Sequence, residues 1–434
     1  MINLLTRWWR SHQFKTAIRQ GNDLKAKKIL KSIEKSGKIL SCCEQLFKEK
    51  IQLEESLQEQ KIQTAKLRKK VIKTEPLLTV IEKSSYGSSM LPLDRDFIDF
   101  IEREFKIQYL DENLIQCTGI HAREFYHLED ELAIFLESEI EKVPSKIRNT
   151  ALQEALNDIE GLKQGIDPNY DLRFTPHIYL MRYFLENIYC SYLSWFLLYK
   201  NNLIPSNLNI LDVAAGPGTV TYGLALLLQS CRDFVALPPL HISYSSVEKQ
   251  SALQYRGLQF WRRYIETQPT PINAYFQFNT LDLFEYDRRA HQIPKKFFDF
   301  IVISHCFFAD RERRVRSHRT YRHIFSKCLK PTGYVLLVIQ GYKLHSFYNR
   351  YPHEKGFHEK NLIETFLGEM GLQLEWYKYL SSTGKRIYNR KEFGKFARET
   401  LSPYKSMSAL HRKYIQSNFD FHYAIDDYVI LAKR

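Results

Sequence analysis

Three acidic residues, Asp212, Glu248 and Asp282, each stand where a run of strand-forming residues gives out. An ionised carboxylate only accepts hydrogen bonds, so such residues suit a ligand presenting an ammonium group or ribose hydroxyls better than one presenting phosphate. Between the first two lies Val213-Ala-Ala-Gly-Pro-Gly-Thr219, a turn of small residues that opens a helix at about Thr219. Gly216 and Gly218 permit positive φ and a close backbone approach that a Cβ would obstruct. A further stretch, Ser304-His305-Cys306-Phe307-Phe308 and then Asp310, offers a hydroxyl, an imidazole and an acid together. His305 has the ring type that exchanges protons near neutral pH, so it is either a general base or a histidine filling the edge of a sheet.

These groups need a sheet whose strands all end on one edge. Leu208–Asp212, His241–Val247, Ala274–Asn279, Phe298–Ser304 and Tyr334–Ile339 read as parallel strands, the fourth apolar on both faces. Leu372–Tyr379 and Tyr428–Ala432 read as two more. A helix at Lys249–Glu266 follows the second strand, and Ile178–Tyr199 reads as a buried helix entering the first.

Asp212 through Gly218 resembles motif I of the class I S-adenosylmethionine (SAM) methyltransferases, with Ala214 in place of the first glycine; it is otherwise a tight turn of an ordinary doubly wound domain. Leu329-Lys-Pro-Thr-Gly333 is similar to that family's turn before the fifth strand. The resemblance implies an α/β fold: a seven-stranded Rossmann-like sheet, mostly parallel with the last strand antiparallel, preceded by an all-α N-terminal region. It implies SAM as cofactor, held by Asp212, Ala214, Gly216, Gly218, Glu248, Asp282 and Ser304. Glu248 would take the ribose diol, or else simply open the following helix. Asp282 would meet the adenine amino group, or else cap a helix. Residues after the fourth strand decide the chemistry in such enzymes, which makes Ser304, His305 and Asp310 the catalytic candidates. No Asn-Pro-Pro-Tyr or Asp-Pro-Pro-Tyr follows that strand, which disfavours adenine N-methylation. The lack of Pro-Cys disfavours the covalent 5-methylcytosine route.

Arg311, Arg313, Arg314, Arg316, Arg319 and Arg322 surround Tyr321. Arg311, Arg314 and Tyr321 are the candidates for gripping an RNA strand or ribonucleoprotein surface; a solvated helix face is the plain alternative. Gly216-Pro-Gly-Thr, Ser304-His305 and Val338–Lys343 before Arg350 are also loosely similar to methyltransferase-like proteins of the small ribosomal subunit. That family's cysteine cluster is missing here. A small-molecule methyltransferase and a non-catalytic assembly factor keeping the fold are the competing functions.

The chain has 434 residues, which is long for one such fold. Residues 1–75 carry 18 Lys and Arg against 8 Asp and Glu, net +10, whereas 76–172 carry 9 against 20, net −11. This asymmetry predicts three regions: a basic helical, coiled-coil-like extension (1–75), an acidic helical region (76–172) and the methyltransferase domain (173–434). Ala17–Gly21 with Ala26 resembles one tetratricopeptide helix-turn-helix unit, and Leu46–Val71 predicts a helical arm, a route to a protein partner or self-association. Lys66–Lys70 could meet phosphates, and Trp8 and Trp9 a membrane surface or neighbouring helices. The seven cysteines lack CxxC spacing, which argues for a reducing compartment and against a zinc or iron–sulfur cluster, so no metal site is expected. No secretory signal or transmembrane run is legible, so a cytoplasmic protein is expected.

Overall fold

The computed structural model describes residues 12–18, 22–34, 47–48, 51, 90–238, 240–268, 272–286, 293–387, 390–415 and 421–434. The chain divides into two units, Met1–Gly87 and Ser88–Arg434. In the first, residues 12–18 form a helix, and Asn22 caps α1 (Asp23–Glu34) by accepting the Lys25 N–H at 3.0 Å. Phe14, Ala17, Ala26, Leu30 and Phe47 make its small core. This is the helix pair that Ala17 and Ala26 predict. The tryptophans, the Lys66–Lys70 run and nearly all of the arm at 46–71 lie outside the described residues.

The second unit is built on one nine-stranded sheet rather than seven. Its strands are β1 (Gln108–Tyr109), β2 (Leu114–Gln116), β3 (Asn207–Val213), β4 (Leu240–Glu248), β5 (Ile272–Thr280), β6 (Phe298–Ser304), β7 (Leu329–Gln340), β8 (Gln373–Ser381) and β9 (Asp426–Lys433). They lie in the order β1-β2-β8-β9-β7-β6-β3-β4-β5. β3 pairs in parallel with β4 on one side and β6 on the other, so the chain reverses its direction of travel across the sheet there. β9 is antiparallel to β7 and β8, as the resemblance implies. The two extra strands come from the acidic region, which is therefore not all-α. Leu114 to Gln116 pair with Tyr379 to Ser381 and extend the sheet. A three-residue strand is too short to show a period of two, which is why the sequence pattern misses it.

The helices are α2 (Arg95–Glu104), α3 (Ala122–Glu141), α4 (Ser145–Glu160), α5, α6 (Thr219–Cys231), α7 (Ser251–Tyr264), α8 (Arg311–Cys328), α9 (Gly341–Ser346), α10 (Glu359–Glu369), α11 (Arg390–Thr400) and α12 (Ser406–Tyr414). α5 joins Thr175–Tyr179 and Leu185–Lys200 through a π turn at Leu180–Phe184. Every residue of α6 is buried, as is nearly all of α5 beyond Ile188, so both are core helices. Among the described residues no helix is long and apolar enough to cross a membrane.

Candidate functional site

The carboxyl edge of β3, β4 and β6, where the strand order reverses, is the place an open α/β sheet offers to a ligand. The turn after β3 holds Ala214 at φ 58°, Gly216 at 55° and Gly218 at 83°. Ala214 thus occupies the left-handed region that a glycine would enter freely, at a cost of about 1 kcal/mol. Its N–H is anchored on the Val247 carbonyl at 2.7 Å. α7 presses directly beneath: a Cβ on Gly257 would lie 2.0 Å from the Pro217 carbonyl oxygen.

The two carboxylates divide their work. Glu248 reaches beside the turn, accepting the Gly216 N–H at 2.9 Å and the Gln250 N–H at 2.8 Å. Burial raises its pKa and those N–H groups oppose the rise. Asp212 lies under the turn, 1% exposed, and accepts the Tyr244 hydroxyl at 2.6 Å. Burial pushes its carboxyl up to about 7, and the Glu248 charge adds to the effect. The cavity below the turn, between Tyr244, Gln254 and Trp261, is about 20 Å³, a water's space. A Cβ on Gly216 would meet Tyr179 Oη at 3.9 Å and Leu253 Cδ2 at 3.8 Å, ordinary contact distances.

Asp282 accepts the Phe284 N–H at 2.9 Å and lies 3.5 Å from Lys249 Nζ, so it caps a short 3₁₀ turn. Asp310 likewise caps α8 through the Arg313 N–H at 2.8 Å. The segment between α4 and α5 passes over the cleft. Asp167 meets Gln250 Nε2 at 3.0 Å on one side, and Arg313 donates to the Gly165 carbonyl at 3.2 Å on the other.

On the far side, Ser304 and His305 close β6. His305 sits at φ 60°, a strained conformation of the kind found at functional sites. Its Nδ1 lies 3.0 Å from Ser304 Oγ and its Nε2 3.0 Å from Asp427 Oδ1. Cys190 of α5 joins this group. Glu186, one turn earlier and open to solvent, stands in the field of Asp427, Asp426 and His305. Sequence reasoning missed Asp427, Cys190, Glu186 and Tyr244. They come from helices and strands far apart in the chain, and the only local signal is the pair Asp426-Asp427 at the head of the last strand.

The arginine helix is mostly occupied. Arg313 lies over the Phe308 ring at 4.5 Å, Arg316 over Phe284 at 4.6 Å and Arg314 over Phe347 at 5.2 Å. Tyr321 is fully buried and donates to the Cys306 carbonyl at 2.6 Å, so it offers no surface to a substrate. Its helical position faces the sheet, four residues from Phe325, also in the core. Arg311 and Arg319 are exposed, with Val315 between them.

No family model matches this chain, and no curated protein matches it in sequence. Solved structures similar to it include a fibrillarin/Nop5p complex, at 12% identity over 53% of this chain and 73% of the other, TM-score 0.27. A Haloferax volcanii complex between the Trm112 methyltransferase activator and a methyltransferase described there as hypothetical is 14% identical, covering 52% and 82%, TM-score 0.27. A SAM-dependent methyltransferase of Methanococcus maripaludis, similarly assigned, is 13% identical, covering 59% and 89%, TM-score 0.27.

Proposed function

We propose that this chain is a SAM-dependent methyltransferase acting on RNA or a ribonucleoprotein assembly. The observation that carries the first half is Glu248 locked against the Gly216 N–H at the point where the strand order reverses. Left-handed backbone at Gly216 and Gly218 beside the Glu248 carboxylate suits the close approach of a cationic nucleoside. Glu248 would take the ribose hydroxyls, and Gly216 and Gly218 would let the backbone approach the amino-acid tail. SAM supplies a methyl group on a sulfonium, already an excellent leaving group, so the protein's task is alignment of the acceptor. Ser304 and His305, at the end of β6, would stand beside the acceptor.

The second half rests on the rim. Through Arg314 over Phe347, α8 meets the segment after α9, where Tyr351 is 92% and Phe357 60% exposed. Arg311 and Arg319 on α8 and Arg350 in this segment are exposed too, and exposed arginines with exposed rings are the residue types that bind single-stranded nucleic acid by phosphate contact and stacking. The Gly165–Asp167 crossing over the cleft supports a second reading, a small acceptor sealed beneath it.

Calorimetric titration with SAM tests the cofactor, one equivalent bound being expected. No heat at millimolar SAM would leave an assembly factor as the function. Methyl-labelled SAM incubated with fractionated cell extract then separates acceptors: label in RNA is expected, and label confined to small molecules selects the sealed-cleft reading.

A further inference from the structure

Cys190, His305 and Asp427 belong to three elements, α5, the end of β6 and the start of β9, yet their ligand atoms all lie within 4.8 Å of one another. We propose that Sγ of Cys190, Nε2 of His305 and one carboxylate oxygen of Asp427 form a zinc site beside the acceptor end of the cleft. The proposal deepens the methyltransferase reading, since it assigns that end of the cleft a Lewis acid.

The donor set is selective. A thiolate with an imidazole and one carboxylate suits zinc and disfavours magnesium and calcium, which take oxygen ligands. Tetrahedral zinc, with bonds of roughly 2.0–2.3 Å, spaces its ligand atoms roughly 3.3–3.8 Å apart. Nε2 and Oδ1 stand 3.0 Å apart in a hydrogen bond that an ion would open by a few tenths of an ångström, and Sγ lies within 4.8 Å of both. Cys190 is 2% exposed and Asp427 5%, whereas His305 is half-buried and faces the cleft. Water is thus excluded on two sides and admitted on one.

The surroundings also fit. A zinc-bound histidine hands its other ring N–H to a fixed acceptor, and Ser304 Oγ stands 3.0 Å from Nδ1. The backbone irregularities lie next to the ligands: the left-handed φ of His305, and the π turn one helical turn before Glu186 and two before Cys190. Three protein ligands leave a fourth position, as in catalytic zinc sites, for water or for the oxygen or sulfur atom that receives the methyl group. A zinc ion held there would make an acceptor's O–H or S–H proton easier to lose to solvent, leaving on that atom a lone pair to take the methyl group. Loading the site itself releases one proton, from the Cys190 thiol.

The test is titration of the chelator-treated full chain with cobalt(II), then competition by zinc(II). One equivalent of cobalt is expected to give a thiolate-to-cobalt charge-transfer band that zinc abolishes. C190S, which keeps a polar group of similar size, should lose the band and D427N should weaken metal binding at least about tenfold, with circular dichroism unchanged. No band in the wild-type chain, or a band that persists in C190S, overturns the site. SAM titration of the same samples keeps the two proposals apart: metal binding without SAM binding overturns the methyltransferase reading alone.

Discussion

The two ends of the cleft are built in opposite ways. The cofactor end is made of backbone: three left-handed residues, a helix pressed against the Pro217 carbonyl, and two acids whose oxygens are largely spent on protein donors. The acceptor end is made of side chains from three distant segments, meeting around His305. A backbone site has few degrees of freedom and tolerates little added volume. A side-chain site can be silenced one group at a time while its scaffold stands. On the proposed function, the difference would let one sheet edge hold a cofactor rigidly and still leave the chemistry open to change.

The strongest attack on this contrast is G257A. The added Cβ would lie 2.0 Å from a carbonyl oxygen that belongs to the turn's own backbone, so no rotamer relieves it. We expect a loss of roughly 3 kcal/mol in urea unfolding, with SAM binding abolished. Unchanged stability would mean that the turn is free to slide and that the cofactor end is not rigid.

E248Q probes the same end more gently. The amide oxygen can still accept one of the two N–H groups, from Gly216 or Gln250, but the NH₂ would face the other, and the charge that would meet a ribose diol and a sulfonium is gone. Losing one charge-assisted interaction is worth about 2–3 kcal/mol, so calorimetry should show SAM binding roughly 30- to 150-fold weaker. H305N is the mirror experiment. It should lower turnover by at least about 100-fold while SAM affinity stays within about threefold. If both variants change binding and turnover alike, the two ends are one unit and the contrast fails.

The backbone end was also the legible end. Gly216 and Gly218 announce left-handed backbone because few other residues enter it, and the apolar strands announce themselves by their two-sided hydrophobicity. Ala214 departs from the motif in residue type, yet its backbone takes the left-handed φ that a glycine there would allow. Acids are harder to place. Asp212 and Glu248 both end strands, yet one is buried against Tyr244 and the other lines the turn, a distinction that depends on which neighbour donates. Tyr321 was misjudged because its arginine-rich surroundings suggest surface, while its helical phase points to the core. Asp427, Cys190 and Glu186 leave no spacing to read, since only the closure of the sheet brings them to His305.

The last contrast is between the two acids at the cofactor end, and D212N resolves it by pH. The folded protein keeps a proton on Asp212 up to about pH 7, whereas an unfolded aspartate has lost it by roughly pH 4. Between those values the native state binds more protons than the unfolded chain, so this group makes stability fall as pH rises, with the full penalty present above about 7. In D212N that slope should vanish. The asparagine oxygen still accepts from Tyr244, but its new N–H₂ group enters a site that is 1% exposed, which offsets part of the gain. The variant should therefore be more stable than the wild type by about 1 kcal/mol at pH 8 and less stable at pH 5, with the two thermal-melting curves crossing in between. SAM binding should change far less than in E248Q, because the Asp212 carboxylate is 1% exposed and engaged by the Tyr244 hydroxyl. A SAM affinity that falls as steeply as in E248Q would place both carboxylates on the cofactor.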